Sequence, residues 1–143
     1  MHFDLVDAVL ERSDDRIVTL KLVSASEEYL QDHFPSFPVL PGVFMVESLV
    51  QAARRLLAPR APGQRLVLGG VRAVKYGSFV RPGDTLRVEV TLGKVQADGA
   101  FDLKGEGTVI RAGAAPDPST APAVAVSGRF SMRPVRHFDT HPK

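Results

Sequence analysis

The segment Gly42–Leu57, GVFMVESLVQAARRLL, is apolar on nearly every side until Arg54 and has no glycine or proline after its first residue. Its sixteen residues make a helix of more than four turns. A helix with so little polar surface cannot lie on the outside of a protein. Other elements must wrap it, and that requirement governs how the rest of the chain is read.

The wrapping elements read as strands. Residues 16–23, RIVTLKLV, alternate polar and apolar with β-branched enrichment and are taken as the first, half-buried strand. Residues 24–28 form a turn with an N-cap serine, and Glu27 to Leu30 can manage one helical turn. Pro35, Pro38 and Pro41 then fix φ and remove amide donors, so 32–41 is a rigid, non-repetitive connection into the helix. After the break at 59–63, extended stretches are expected over 65–80, 85–96, 101–111 and 123–132. Pro82-Gly83-Asp84 has turn chemistry, and Ala97-Asp98-Gly99 marks a hairpin. Residues 112–122, rich in Ala, Pro and Gly, are expected to be a mobile loop. The plan is one α+β domain over 1–143, an antiparallel sheet curled around one long helix, with 133–143 as a flexible basic tail. One short sheet leaves edges and part of the helix uncovered, which pairing with a second copy resolves.

Composition excludes whole classes. A chain of 143 residues has room for one core, not for a two-domain enzyme. Without cysteine there are no disulfide scaffolds, zinc ribbons or thiol nucleophiles, so chemistry must rest on His, carboxylates or hydroxyls. No apolar run approaches the roughly 20 residues of a membrane helix. The early acids Asp4 and Asp7, with no basic n-region, argue against a secretory signal and for the cytoplasm. A net charge of +2 is too small for a nucleic-acid binder. The segment 129–143 nevertheless carries Arg129, Arg133, Arg136 and Lys143 against Asp139. It is either a solvated tail or a surface for an acidic partner.

Within the helix, Glu47 and Gln51 lie four residues apart on one face. A carboxylate in apolar surroundings is costly unless paired or protonated, and a protonated Glu is suited to general-acid chemistry. The alternative places both residues on a narrow solvent stripe. His2, His137 and His141 lie near the termini, leaving His33 as the histidine within the body of the chain. It opens the stiff run that ends at Pro41-Gly42. Because Pro41 has no amide hydrogen, Gly42 is the first residue able to present an N–H there, a place suited to developing negative charge on oxygen.

His33, Gly42 and Glu47 appear in that order, with the two titratable groups fourteen positions apart. The run HFPSFPVLPGVFMVESLVQAA resembles the signature of bacterial 3-hydroxyacyl-acyl carrier protein dehydratases of the FabZ type, which are single-domain hotdog-fold enzymes. Upstream, FDLVDAVLE is similar to their opening segment. Downstream, VKYGSFVRPGDTL is similar to their strand ending in a PGD turn. The resemblance extends to about Val90.

The resemblance implies that His33 is the catalytic base and Glu47 the catalytic acid, the latter contributed by the partner subunit of a dimer. It further implies that Gly42 supplies the oxyanion amide, that the Val39 carbonyl orients the histidine and that Gln51 supports the acid. The reaction is dehydration of a 3-hydroxyacyl thioester on an acyl carrier protein to the trans-2-enoyl thioester, in fatty-acid, polyketide or related lipid biosynthesis. It needs no metal and no other cofactor. The assembly is a homodimer, with a trimer of dimers open beyond it. Phe37, Phe44, Tyr76 and Phe79 are candidates for an acyl tunnel or for plain core packing. Arg129, Arg133 and Arg136 are candidates for carrier docking. Asp32 and Ser36 stand where the family commonly has glycine; Asp32 either acts on His33 by proximity or points to solvent. A hotdog thioesterase is the first alternative. It does not need a histidine ahead of a PxxPG loop. A non-catalytic carrier-binding or dimerisation partner is the second.

Overall fold

The computed structural model describes residues 3–114 and 117–135. The apolar segment forms one helix, α1, over Gly42–Leu57, matching the expected bounds. Six strands surround it: β1 (Ala8–Arg12), β2 (Arg16–Leu22), β3 (Leu66–Tyr76), β4 (Thr85–Val95), β5 (Phe101–Ile110) and β6 (Ala123–Pro134). They form a single sheet in the order β1-β2-β4-β5-β6-β3, with every neighbouring pair antiparallel. A short 3-10 turn, Glu28–Leu30, stands where one helical turn is expected.

Alternation along β4 and the first half of β5 lays one face of the sheet on the helix. Val88 and Val90 of β4, Leu103 of β5 and Phe130 and Met132 of β6 are buried with Leu49, Ala52, Ala53, Leu56 and Leu57 of α1. Each large side chain so buried contributes about 1.5–3 kcal/mol of hydrophobic stabilisation. At the centre, β5 presents Gly105, where a Cβ would come within 2.9 Å of Leu49 Cδ1, so the helix packs directly on the backbone there. Ser48, polar but fully buried, donates its hydroxyl to the Phe44 carbonyl one turn back at 2.9 Å.

Three boundaries differ from the sequence reading. β1 precedes the strand taken as first. Its five residues are all exposed, and a register shift between Val9 and Glu11 breaks the alternation that would have revealed it. β3 stops at Tyr76 rather than 80, although Gly77 and Ser78 still donate their amides to Ala125 and Val124. β6 runs on to Pro134, which places Arg133 and Pro134 of the expected tail in the ladder opposite Val67 and Leu66. Residues 136–143 lie outside the described residues.

The ends of the helix are unequally covered. Towards its C-terminus Leu56 and Leu57 are buried, whereas near its N-terminus Val43 is 71% exposed. Edge strand β3 carries Leu68, Val71 and Tyr76 in the open. Among the described residues no helix is long and apolar enough to cross a membrane.

Candidate active site

The run ahead of α1 is held by its own backbone. Val39 donates its N–H to the His33 carbonyl at 2.9 Å, and Leu40 donates to the Val80 carbonyl at 2.8 Å, fastening the loop to the middle of the β3–β4 connection. The His33–Phe34 peptide bond is cis, and the two rings stack with centroids 4.5 Å apart. His33 Nδ1 lies 2.9 Å from the Val39 carbonyl oxygen. A carbonyl only accepts, so Nδ1 carries the hydrogen of the neutral ring and Nε2 keeps a free lone pair. An imidazole held this way is oriented to accept a proton through Nε2. Asp32 and Ser36 are both exposed, and neither side chain makes a hydrogen bond among the described residues.

Pro41 serves as the N-cap with extended backbone and no side-chain cap. Its carbonyl receives the Phe44 and Met45 amides, and no acceptor among the described residues takes the Gly42 N–H. That amide sits at the positive end of the helix dipole. The tyrosine ring of Tyr76 lies against the helix start, so a Cβ at position 42 would come within 2.8 Å of Tyr76 Cε1 and the ring would have to move aside.

Glu47 is half-buried on α1, one turn before Gln51. Gln51 Nε2 donates to Glu47 Oε1 at 3.1 Å and to the Phe3 carbonyl at 2.7 Å, while its Oε1 accepts the Leu5 amide at 2.8 Å. No hydrogen bond or ion pair joins His33 to Glu47 within the chain among the described residues.

The four aromatic candidates separate. Phe37 and Phe79 meet edge to face at 5.8 Å, with the Arg81 guanidinium 4.6 Å above the Phe37 ring. They line a cavity of about 870 Å³ with Pro38, Asp84 and Arg111. Tyr76 covers Gly42, as described. Phe44 instead packs on the far side of the helix start, 4.9 Å from Phe3 and 4.5 Å from Tyr29.

Arg81, Asp84 and Arg111 did not stand out in the sequence beyond the turn chemistry of Pro82-Gly83-Asp84. Asp84 is buried and accepts from the Arg81 and Ala112 amides and from Arg111 Nη1 at 2.8 Å. Burial pushes its carboxyl up, but those three donors outweigh burial and hold it below the usual carboxylate range. Asp84→Asn is therefore expected to cost about 3 kcal/mol of stability at neutral pH by leaving the others short of a partner. A depressed carboxyl stabilises the fold above its unfolded value of about 3.9, and the contribution disappears as pH falls through the lower folded value. Denaturant titrations should thus show the gap between wild type and variant narrowing on acidification. A gap that is constant with pH would contradict this account of Asp84.

Arg129 and Arg133 of β6 point away from the helix, on the face opposite the buried Phe130 and Met132. Arg129 stands directly opposite Lys104 of β5 on one side and Arg72 of β3 on the other. Arg136 lies outside the described residues. Among the described residues no group of three or more His, Asp or Glu is arranged to hold a metal ion.

A helix N-terminus with a free glycine amide, a loop histidine oriented through Nδ1 and a helix carboxylate are the parts that a family assignment has to explain. Residues 10–114 match the model of a family described as ApeI-like: ApeI dehydratase. The chain belongs to that dehydratase family. Among its relatives is the 3-hydroxyacyl-[acyl-carrier-protein] dehydratase FabZ of Thermotoga petrophila, 45% identical over 102 residues that span 68% of this chain and 74% of the relative. The protein of the same name from Oenococcus oeni is 47% identical over 95 residues, 64% of this chain and 68% of the relative. Solved structures share the architecture, the hotdog fold. The dehydratase heterocomplex ApeI:P from Xenorhabdus doucetiae superposes with a TM-score of 0.63 at 17% identity, over 92% of this chain and 99% of that one. The fluoroacetyl-CoA thioesterase FlK gives 0.63 at 20% identity, over 87% and 88%. At those identities the likeness concerns the fold, and the family's chemistry rests on the sequence relatives.

Proposed function

We propose that this protein dehydrates a 3-hydroxyacyl thioester carried on an acyl carrier protein to the trans-2-enoyl thioester, in the assembly of fatty acids or related lipids. The observation that carries the reading is the His33 Nδ1 to Val39 carbonyl bond, which leaves Nε2 free as a base close to a helix that opens on the unpartnered Gly42 amide. In this mechanism Nε2 removes a proton from C2 of the substrate while the Gly42 N–H bonds the thioester oxygen as negative charge builds there. The C3–O bond breaks as Glu47 delivers its proton to the departing hydroxyl, so one water leaves and a C2–C3 double bond forms. The proton held by His33 then returns to the carboxylate through solvent. No step calls for a metal or a redox group.

The dimer is part of the same reading. Support comes from the lack of any bond between His33 and Glu47 within one chain and from the eleven-residue edge strand β3, with Leu68, Val71 and Tyr76 exposed. A long, unpaired apolar edge is covered by a second copy, which brings Glu47 of one protomer to His33 of the other. The acyl chain runs past Phe37, Phe79 and Tyr76, and the cytoplasm is the setting in which the carrier is met.

The test is to follow a 3-hydroxyacyl thioester by mass. Formation of the enoyl thioester in equilibrium with its hydrate supports dehydration, whereas release of free carboxylic acid and thiol would move the assignment to a thioesterase.

Carrier docking falls on the outer face of β6, through Arg129 and Arg133. Support comes from the in-register row Lys104–Arg129–Arg72, which borders a depression of about 810 Å³ together with Lys94. Like charges directly opposite one another destabilise a sheet, so such a row suits an acidic partner. Arg129→Glu combined with Lys104→Glu should raise KM for carrier-bound substrate about tenfold, the loss of two or three exposed ion pairs. Turnover of a small thioester mimic should be unaffected. Equal effects on both substrates would remove these residues from the docking surface.

A further inference from the structure

Resting on the reading of Glu47 as the proton donor, we infer that the N-terminal segment, residues 3–5, locks the carboxamide of Gln51 and thereby selects which oxygen of Glu47 delivers the proton. A glutamine amide can be turned end for end with little change in shape, so only its partners decide where its oxygen and nitrogen lie. Here they decide without ambiguity. The Leu5 N–H faces Oε1 at 2.8 Å, and the Phe3 carbonyl faces Nε2 at 2.7 Å. Turning the amide over would set Nε2 against an N–H and Oε1 against both a carbonyl and a carboxylate.

In the observed orientation Nε2 has two hydrogens and two acceptors. One is the Phe3 carbonyl, and the other is Glu47 Oε1 at 3.1 Å. Glu47 Oε1 is therefore engaged as an acceptor, and the transferable proton resides on Oε2. The segment thus acts on Glu47 through Gln51 although it touches no reacting atom; Phe3, Leu5 and Gln51 are positioning residues.

The segment can impose this orientation because it is anchored independently of Gln51. Leu5 and Val6 are buried, at 1% and 5% exposure. Asp7 donates its amide to Leu20 at 2.8 Å, and its carboxylate accepts the Leu22 amide at 2.7 Å. The Phe3 ring completes an aromatic trio with Tyr29 and Phe44, at 5.8 and 4.9 Å. Phe44 lies on the first turn of the same helix that carries Glu47 and Gln51, so the segment is fastened to the helix that bears the acid.

The experiment is a kinetic double-mutant cycle on the 143-residue chain with Phe3→Ala, which removes the segment's first anchor, and Gln51→Met, which keeps bulk and removes every hydrogen bond. Each single variant should lower kcat about 10- to 100-fold with KM changed by no more than about twofold, the size of effect that a misplaced catalytic group produces. The double variant should be no slower than Gln51→Met alone, because both changes act on the same carboxamide. Phe3→Leu, which keeps an apolar anchor, should recover most of the kcat lost in Phe3→Ala. Circular dichroism and thermal unfolding keep the comparison to folded protein. Multiplicative losses in the double variant would overturn the inference. So would a lowered Tm with kcat per folded enzyme unchanged, which is the signature of a merely structural glutamine. A wild-type enzyme that forms no enoyl thioester would instead overturn the dehydratase reading itself.

Discussion

His33→Ala is expected to lower dehydration about 100- to 10,000-fold, the usual worth of a positioned general base. The fold should survive, since His33 sits in a loop at the surface of the core and its ring spends its one protein hydrogen bond on Val39. The Val39 amide still reaches the residue 33 carbonyl after the change, so the loop keeps its backbone fastening. Steady-state turnover of a 3-hydroxyacyl thioester, with circular dichroism as the fold check, decides the matter. More than a tenth of wild-type activity in a folded variant would exclude His33 as the base.

Glu47→Gln should be equally severe for a different reason. The amide nearly matches the acid in shape and keeps the helix surface intact, but it cannot give up a proton to the departing hydroxyl. The more informative measurement mixes it with His33→Ala. Two-fold pairing gives a heterodimer one site that lacks both groups and one that has both. Refolding equal amounts together yields about half heterodimers, each with one of two sites working, so roughly a quarter of wild-type activity should return from two inactive parents. If heterodimers form and the mixture stays inactive, base and acid belong to one chain and the shared site fails.

Much of this architecture is legible in the sequence because it rests on local chemistry. The helix bounds Gly42 and Leu57 follow from a proline that ends an extended loop and a run without breakers. The hairpin at Ala97-Asp98-Gly99 follows from turn chemistry, and β4 joins β5 there as an antiparallel pair. His33, Gly42 and Glu47 lie in a single continuous run, and that is what makes the family resemblance visible in the sequence. β1 escaped because an exposed edge strand with a bulge has no face to bury and so leaves no alternation to read.

What the sequence by itself determined was the set of chemical groups and the element that each occupies, since helix start, loop stiffness and side-chain type are properties of neighbouring residues. What only the tertiary structure decided was which distant groups meet. The Gln51 carboxamide finds the backbone of Phe3 and Leu5 more than forty residues away. The Tyr76 ring comes to rest on Gly42, and Asp84 gathers donors from Arg81, Arg111 and Ala112. Arg129 acquires Lys104 and Arg72 as cross-strand neighbours because β6 lies between β5 and β3. No periodicity encodes such pairings. They depend on strand order and register, which the chain adopts to bury one long helix, and the partners of every polar group outside that helix follow from that solution.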